Sequence, residues 1–147
     1  MEVADRVVLI TGASSGVGAA LAEQLAGMGA RVVVNYSRSA DAAQAVVSRI
    51  ASAGGQALVV QADVSEEADC KRLVAATIEQ FGQLDVLVNN AGTTTFVPHD
   101  QLEALTEEIW LRTLRVNLIG AFMMSREAAS HIGAAGGGEI IMTSSIA

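Results

Sequence analysis

Apolar positions along the chain fall into two alternating kinds of segment. Short runs rich in β-branched residues recur at Arg6-Val7-Val8-Leu9-Ile10, Arg31-Val32-Val33-Val34-Asn35, Ala57-Leu58-Val59-Val60, Leu84-Asp85-Val86-Leu87-Val88 and Glu139-Ile140-Ile141-Met142. They are apolar on both faces rather than alternating, which predicts strands buried in a parallel sheet. Helix-period segments separate them. Val17, Ala20, Leu21, Leu25 and Met28 share one stripe, closed by Gly29. Ala42, Val46, Arg49, Ile50 and Ala53 mark a second helix, stopped by Gly54-Gly55. Cys70, Leu73, Val74, Thr77, Ile78 and Phe81 mark a third. Ser65 is placed to cap it, and Glu66 and Glu67 suit the positive end of its dipole. A fourth helical region is long, from about Thr106 to His131.

Strand and helix in alternation, with five strands, predict a doubly wound parallel α/β sheet of the Rossmann type. Right-handed crossovers then put helices on both faces. No repeat or linker divides the chain, so residues 1–147 read as one domain. The single proline, Pro98, follows the fourth strand, and the glycine-rich Gly133–Gly138 reads as a turn before the fifth.

Composition narrows the classes. Apolar residues make up 51% and charged residues 17% of the chain, and the mean hydropathy is +0.41, which excludes a disordered chain. A net charge of -7 argues against nucleic acid and against an anionic membrane surface. One cysteine, Cys70, permits no intrachain disulfide. No basic leader and no apolar run of membrane-spanning length is present, so a soluble cytoplasmic protein is the expectation.

The segment Thr-Gly-Ala-Ser-Ser-Gly-Val-Gly, Thr11 to Gly18, directly follows the first strand and opens the first helix. In that context Gly12 allows a tight turn, Gly16 lets backbone approach a pyrophosphate, and Gly18 permits close helix–sheet packing. The helix N-terminus offers N–H groups and a positive dipole to phosphate. The competing reading is a tight turn without a ligand.

With Thr-Gly-x3-Gly-x-Gly spacing, the chain resembles the short-chain dehydrogenase/reductase family. Asp63-Val64 after the third strand, Asn89-Asn90-Ala91-Gly92 after the fourth, Asn117 in the long helix and Ser145 after the fifth strand repeat the resemblance in order. The resemblance implies NAD(P)(H)-dependent hydride transfer between cofactor and a carbonyl or secondary alcohol. It assigns the cofactor to Thr11, Gly12, Ser14, Ser15, Gly16, Val17, Gly18, Arg38, Asp63, Val64, Asn90, Ala91 and Gly92. Asp63 would contact the adenine, and Asn117 and Ser145 would belong to the catalytic set. An acidic residue at the end of the second strand holds the ribose 2′-hydroxyl of NAD in such folds. Here Asn35 to Ser39 contains none, while Arg38 offers a planar fork of donors suited to a 2′-phosphate. NADP is therefore expected, with NAD as second choice; a solvated loop charge is the other reading of Arg38. The stretch is similar to that of ketoacyl-carrier-protein reductases, although Ser15 stands where several NADP-using members carry a second basic residue.

In this family a tyrosine delivers the proton, and a lysine four residues later lowers its pKa. A phenol otherwise titrates near 10. The only tyrosine is Tyr36 and the only lysine is Lys71, and neither fits that pair. Two readings stand. The chain is an incomplete member, truncated after its fifth strand and inactive alone, or it is a non-catalytic nucleotide-binding or interaction protein. Ser145 read by itself is also a plain strand-end cap. The family's oligomer packs the long fourth helix and the helix that follows the tyrosine, so a homo-oligomer is expected of the full-length form. Without the later elements the fifth strand's edge is expected to lie open.

Other residues read as packing. Cys70 lies on an apolar stripe. With one cysteine and two distant histidines, His99 and His131, no metal site is expected. Met123 and Met124 suit helix packing, and Val97 to Trp110 lies where family members shape a substrate pocket.

Overall fold

The computed structural model describes residues 2–145; Met1, Ile146 and Ala147 of the expected 1–147 domain lie outside the described residues. Five strands, β1 (Val7–Ile10), β2 (Arg31–Tyr36), β3 (Gln56–Gln61), β4 (Val86–Asn89) and β5 (Glu139–Met142), form one parallel sheet in the order β3-β2-β1-β4-β5. Helices α1 (Gly16–Gly27) and α2 (Ala40–Ser52) cover one face. Helices α3 (Glu67–Phe81), α4 (Glu107–Leu114) and α5 (Ala121–Ala134) follow β3 and β4, and α3 and α5 cover the other face. The strand order reverses between β1 and β4, which is where a doubly wound sheet opens a crevice at its carboxyl end. None of the described helices is long and apolar enough to cross a membrane.

Both sheet faces are packed because both sides of each central strand are apolar. Val7, Leu9, Val33 and Leu87 meet Leu73, Val74, Met124 and Ala128. Val8, Ile10, Val32, Val34, Val86 and Val88 meet Ala19, Ala22, Ala26, Ala43, Val46 and Ile50. Asp85 fastens the opposite end of the sheet. Its carboxylate accepts from Arg6 Nη1 (2.8 Å), Val7 N–H (2.8 Å) and Gln83 Nε2 (2.7 Å), and its carbonyl accepts from Glu139 N–H.

Several sequence expectations change in detail. In α1 the buried residues are Gly18, Ala19, Ala22 and Ala26, not the larger stripe; Val17 and Met28 are exposed. Small side chains let α1 lie close to the sheet, and bulkier ones rotate to its rim. Leu21 and Leu25 border a cleft of about 330 Å³ beside Val8, Val88 and Ile141. In α2 Ala43 is buried instead of Ala42, and Arg49 turns outward to Glu23 at 2.6 Å. Ser65 does not cap α3: Glu66 is the cap residue and makes no side-chain cap bond, while Ser65 is drawn to Asp63. Gly133 and Ala134 finish α5, and the turn proper is Gly136 and Gly137, both at positive φ. The fifth strand occupies the sheet edge, where Ile140, Ile141 and Met142 are exposed rather than buried.

The long fourth helix is continuous in path but not in hydrogen bonding. Thr106 caps α4 through its hydroxyl, which accepts from Ile109 N–H, and a six-residue π turn, Arg115–Gly120, joins α4 to α5. Such turns cluster at functional sites. Gly120 lets this turn approach the loop after β3, since a Cβ there would stand 2.9 Å from the Val64 carbonyl oxygen.

Candidate cofactor-binding site

The residues assigned to the cofactor converge at the carboxyl ends of β1, β2, β3 and β4. The glycine turn leaves β1 at Thr11, whose buried hydroxyl accepts from the N–H groups of Asn90 and Ala91, both at 3.0 Å. Asn90, directly after β4, answers by donating its side-chain amide to the carbonyls of Thr11 (3.0 Å) and Gly12 (3.1 Å). Turn and post-β4 loop are thus one hydrogen-bonded unit across the crevice.

Each glycine has its own geometric reason. Gly12 adopts φ +64°, and a Cβ there would lie 2.8 Å from Ala91 Cα. A Cβ on Gly18 would lie 2.5 Å from Asn90 Nδ2. Gly16 adopts φ +56° and has nothing within 4 Å of its would-be Cβ, so the space above it is open to a ligand. Ser15 is extended and caps α1 without a side-chain bond. The first intrahelical bond runs from Ala19 N–H to the Ser15 carbonyl, so the amides of Gly16, Val17 and Gly18 precede it. Ser14 is half-buried, and Ser15, Gly16 and Val17 are exposed. This is an open N-terminal cradle of the kind that binds phosphate, and its residues fit a dinucleotide.

On the second strand Arg38 is exposed two residues past β2, and Tyr36 ends the strand half-buried. Asn35, read from sequence only as the absence of an acid, is in fact buried beneath the glycine turn. A polar residue at a strand end carries no pattern that distinguishes those two settings.

The third strand leads to Asp63. One carboxylate oxygen accepts from the N–H (2.9 Å) and hydroxyl (2.6 Å) of Ser65, and the other faces Arg112 Nη2 at 3.4 Å. Burial alone would push the Asp63 carboxyl up, but the Ser65 bonds and the Arg112 guanidinium together hold it below the ordinary carboxylate range. Arg112 also donates to the Ser65 hydroxyl, and Arg115 to its carbonyl. Neither arginine is legible in the sequence, because on a helix face they look like solvated charges. Val64 turns its side chain into the core, and its carbonyl accepts from the Cys70 thiol. Burial pushes the Cys70 thiol up to about 11, which suits packing rather than chemistry.

Gly92 is exposed and adjoins Asn117, which lies in the π turn. The Asn117 amide donates to the Thr93 carbonyl at 2.9 Å and its oxygen accepts from Thr93 N–H at 2.8 Å. Asn117 therefore fixes the loop that leaves Gly92. Between this turn and the end of β5 lies a cavity of about 380 Å³, lined by Ala91, Asn117, Phe122, Met142 and Ser144 among others. Ser145 follows directly and is exposed. Asn89, which also lines the cavity, donates its side-chain amide to the Ser125 hydroxyl, and its Oδ1 is buried without a hydrogen-bond partner among the described residues. No cluster of three metal-ligating side chains occurs among the described residues.

A family model described as short chain dehydrogenase matches residues 6–147. An uncharacterized oxidoreductase of Methylorubrum extorquens is 48% identical over 141 residues, covering 96% of this chain and 55% of that protein. Versicolorin reductase 1 of Aspergillus parasiticus is 44% identical over 140 residues, covering 95% of this chain and 52% of that protein. A solved Serratia marcescens short-chain dehydrogenase/reductase variant superposes with a TM-score of 0.82 at 38% identity, covering 90% of this chain and 53% of that one. The chain spans about half the length of the relatives it matches.

Proposed function

The chain belongs to the short-chain dehydrogenase family, and on that premise we propose that it forms the cofactor-binding part of an NADP(H)-dependent oxidoreductase acting on a carbonyl or secondary alcohol. The observation that carries the proposal is the open amide cradle at Gly16 and Val17, clamped by Thr11 and Asn90. Arg38 supports the choice of NADP(H): it is exposed beside the end of β2, where no acidic residue precedes it.

In this reading the diphosphate rests on the amides at the start of α1, and Asp63 and Val64 border the adenine. Thr11, Gly12 and Gly18 give the turn its shape; Ser14 and Ser15 form its outer wall. Ala91, Gly92 and Asn90 border the nicotinamide side. The bound cofactor supplies the hydride. Ser145 orients the substrate oxygen by a hydrogen bond, and Asn117 holds the loop that lines the substrate side.

Proton delivery is not among these residues. Tyr36 sits on the adenosine side at the end of β2, and Lys71 is on α3, paired with Glu67 at 2.8 Å. We therefore propose that these 147 residues bind cofactor without reducing a carbonyl alone, and that the active protein carries a Tyr-x3-Lys pair on a further helix. Span supports this, since the relatives are about twice as long. The second reading is a nucleotide-binding protein without catalysis.

The reading frame beyond Ala147 separates the two: the enzyme reading requires Tyr-x3-Lys there. In the protein carrying that pair, Ser145→Ala is expected to lower kcat roughly 100-fold while NADPH affinity changes less than about twofold. Undiminished turnover in Ser145→Ala would remove Ser145 from the mechanism.

A further inference from the structure

Asn35 is 1% exposed, and its side chain is engaged at both ends. Its Oδ1 accepts from Gly12 N–H at 3.1 Å, and its Nδ2 donates to the carbonyls of Ala62 (3.0 Å) and Val60 (3.3 Å). Its own carbonyl accepts from Ala13 N–H at 2.8 Å. One residue at the end of β2 thus occupies two successive amides of the glycine turn and ties them to the end of β3. The two sides of Asn35 need opposite polarity, an acceptor toward Gly12 and a donor toward β3. Among uncharged side chains of this size the primary amide meets both needs.

Occupied amides are not available to a ligand. With Gly12 and Ala13 bound to Asn35, and the first intrahelical bond made by Ala19, the amides between them run from Ser14 to Gly18, of which those of Ser15, Gly16 and Val17 belong to exposed residues. We propose that Asn35 is a positioning residue that selects which amides read the cofactor diphosphate: it withdraws those of Gly12 and Ala13 and fixes those of Gly16 and Val17 in place. Asn35 reaches the diphosphate only through the turn. The proposal rests on the dinucleotide reading of this site, and its test separates the two.

Amide hydrogen exchange on the unmodified protein without cofactor comes first. Gly12 and Ala13 are expected to be protected roughly tenfold or more over Gly16 and Val17. Adding NADPH is expected to protect Gly16 and Val17 and to leave Gly12 and Ala13 as they were. Rapid exchange at Gly12 and Ala13 before cofactor is added would overturn the proposal. Protection there, with no response of any amide to NADPH, would instead overturn the cofactor reading and leave the Asn35 contacts standing.

Asn35→Leu, which keeps the volume and the backbone bond to Ala13 but removes the side-chain bonds to Gly12, Val60 and Ala62, is expected to weaken NADPH roughly tenfold. Adenosine 2′-monophosphate, which carries no diphosphate, is expected to change less than about twofold. Equal losses for both ligands in a folded variant would show a general structural role and overturn the proposal. If Asn35→Leu does not fold, the exchange comparison on the unmodified protein decides alone.

Discussion

A methyl group at Gly18 would sit 2.5 Å from Asn90 Nδ2 and 2.8 Å from the Gly12 carbonyl oxygen. Both neighbours belong to the same hydrogen-bonded clamp, so neither yields easily. Gly18→Ala is expected to lower stability by about 1–3 kcal/mol, read as a drop in Tm, and to weaken NADPH as the clamp shifts. Cys70 gives the opposite kind of prediction. Its thiol is fully buried and pushed up to about 11, so a thiol reagent is expected to label it only as fast as the protein opens. Labelling at the rate of a small free thiol under native conditions would contradict its burial. At this scale the sequence was readable where residue type restricts conformation. Glycines at fixed spacing after a strand point to a turn and a close approach, and Gly12 and Gly18 adopt that geometry. Asn35, Arg112 and Arg115 were not readable, because a polar side chain at a strand end or on a helix gives no sign of what lies across from it.

Strand positions were legible because each central strand is apolar on both faces, and a sheet buried on both sides leaves no other pattern. The face of α1 was not legible. Hydrophobicity favoured Val17, Leu21, Leu25 and Met28, while packing density favoured Ala19, Ala22 and Ala26 against the sheet. The π turn was hidden too, because a single extra residue in a helix leaves apolar periodicity almost unchanged. Asp85 joins β1, β4 and β5 at the end of the sheet away from the site. Burial by itself would raise its pKa, but the Val7 N–H, Gln83 and Arg6 hold it below the ordinary carboxylate range. A carboxyl whose pKa is lower folded than unfolded contributes stability above its unfolded value, near 4, and loses it as the pH falls through the folded value. Stability is thus expected to be insensitive to this group at neutral pH and to decline below about pH 4. Asp85→Asn is expected to cost about 1–3 kcal/mol at pH 7 and to flatten part of that acid decline. Urea unfolding across the pH range measures both, and an unchanged acid slope in the variant would refute the assignment.

Across the whole molecule the apolar surface is unevenly distributed. Trp110, Leu111, Leu114, Leu118, Ile119 and Phe122 along the α4–α5 path are each at least 43% exposed, and β5 presents Ile140, Ile141 and Met142 at the sheet edge. Contiguous apolar patches and open strand edges favour association. The 147-residue chain is expected to sediment with a mass that rises with concentration, and a strictly monomeric profile up to about 100 μM would count against that. The family and the alternation of five strands with helices could be taken from the sequence, because the motifs and segments follow one another in fixed order along the chain. The extent of exposed surface could not, since it depends on which neighbours each element has. Everything proposed for the site depends on this fold reading NADP(H) through the glycine turn and Arg38. Isothermal titration calorimetry with NADPH and NADH, on the unmodified protein and on Arg38→Ala, decides that point. Saturable binding that favours NADPH is expected, with Arg38→Ala weakening NADPH roughly 10- to 100-fold and NADH less than about twofold. Equal losses for the two cofactors, or no binding of either by the folded protein, would contradict it.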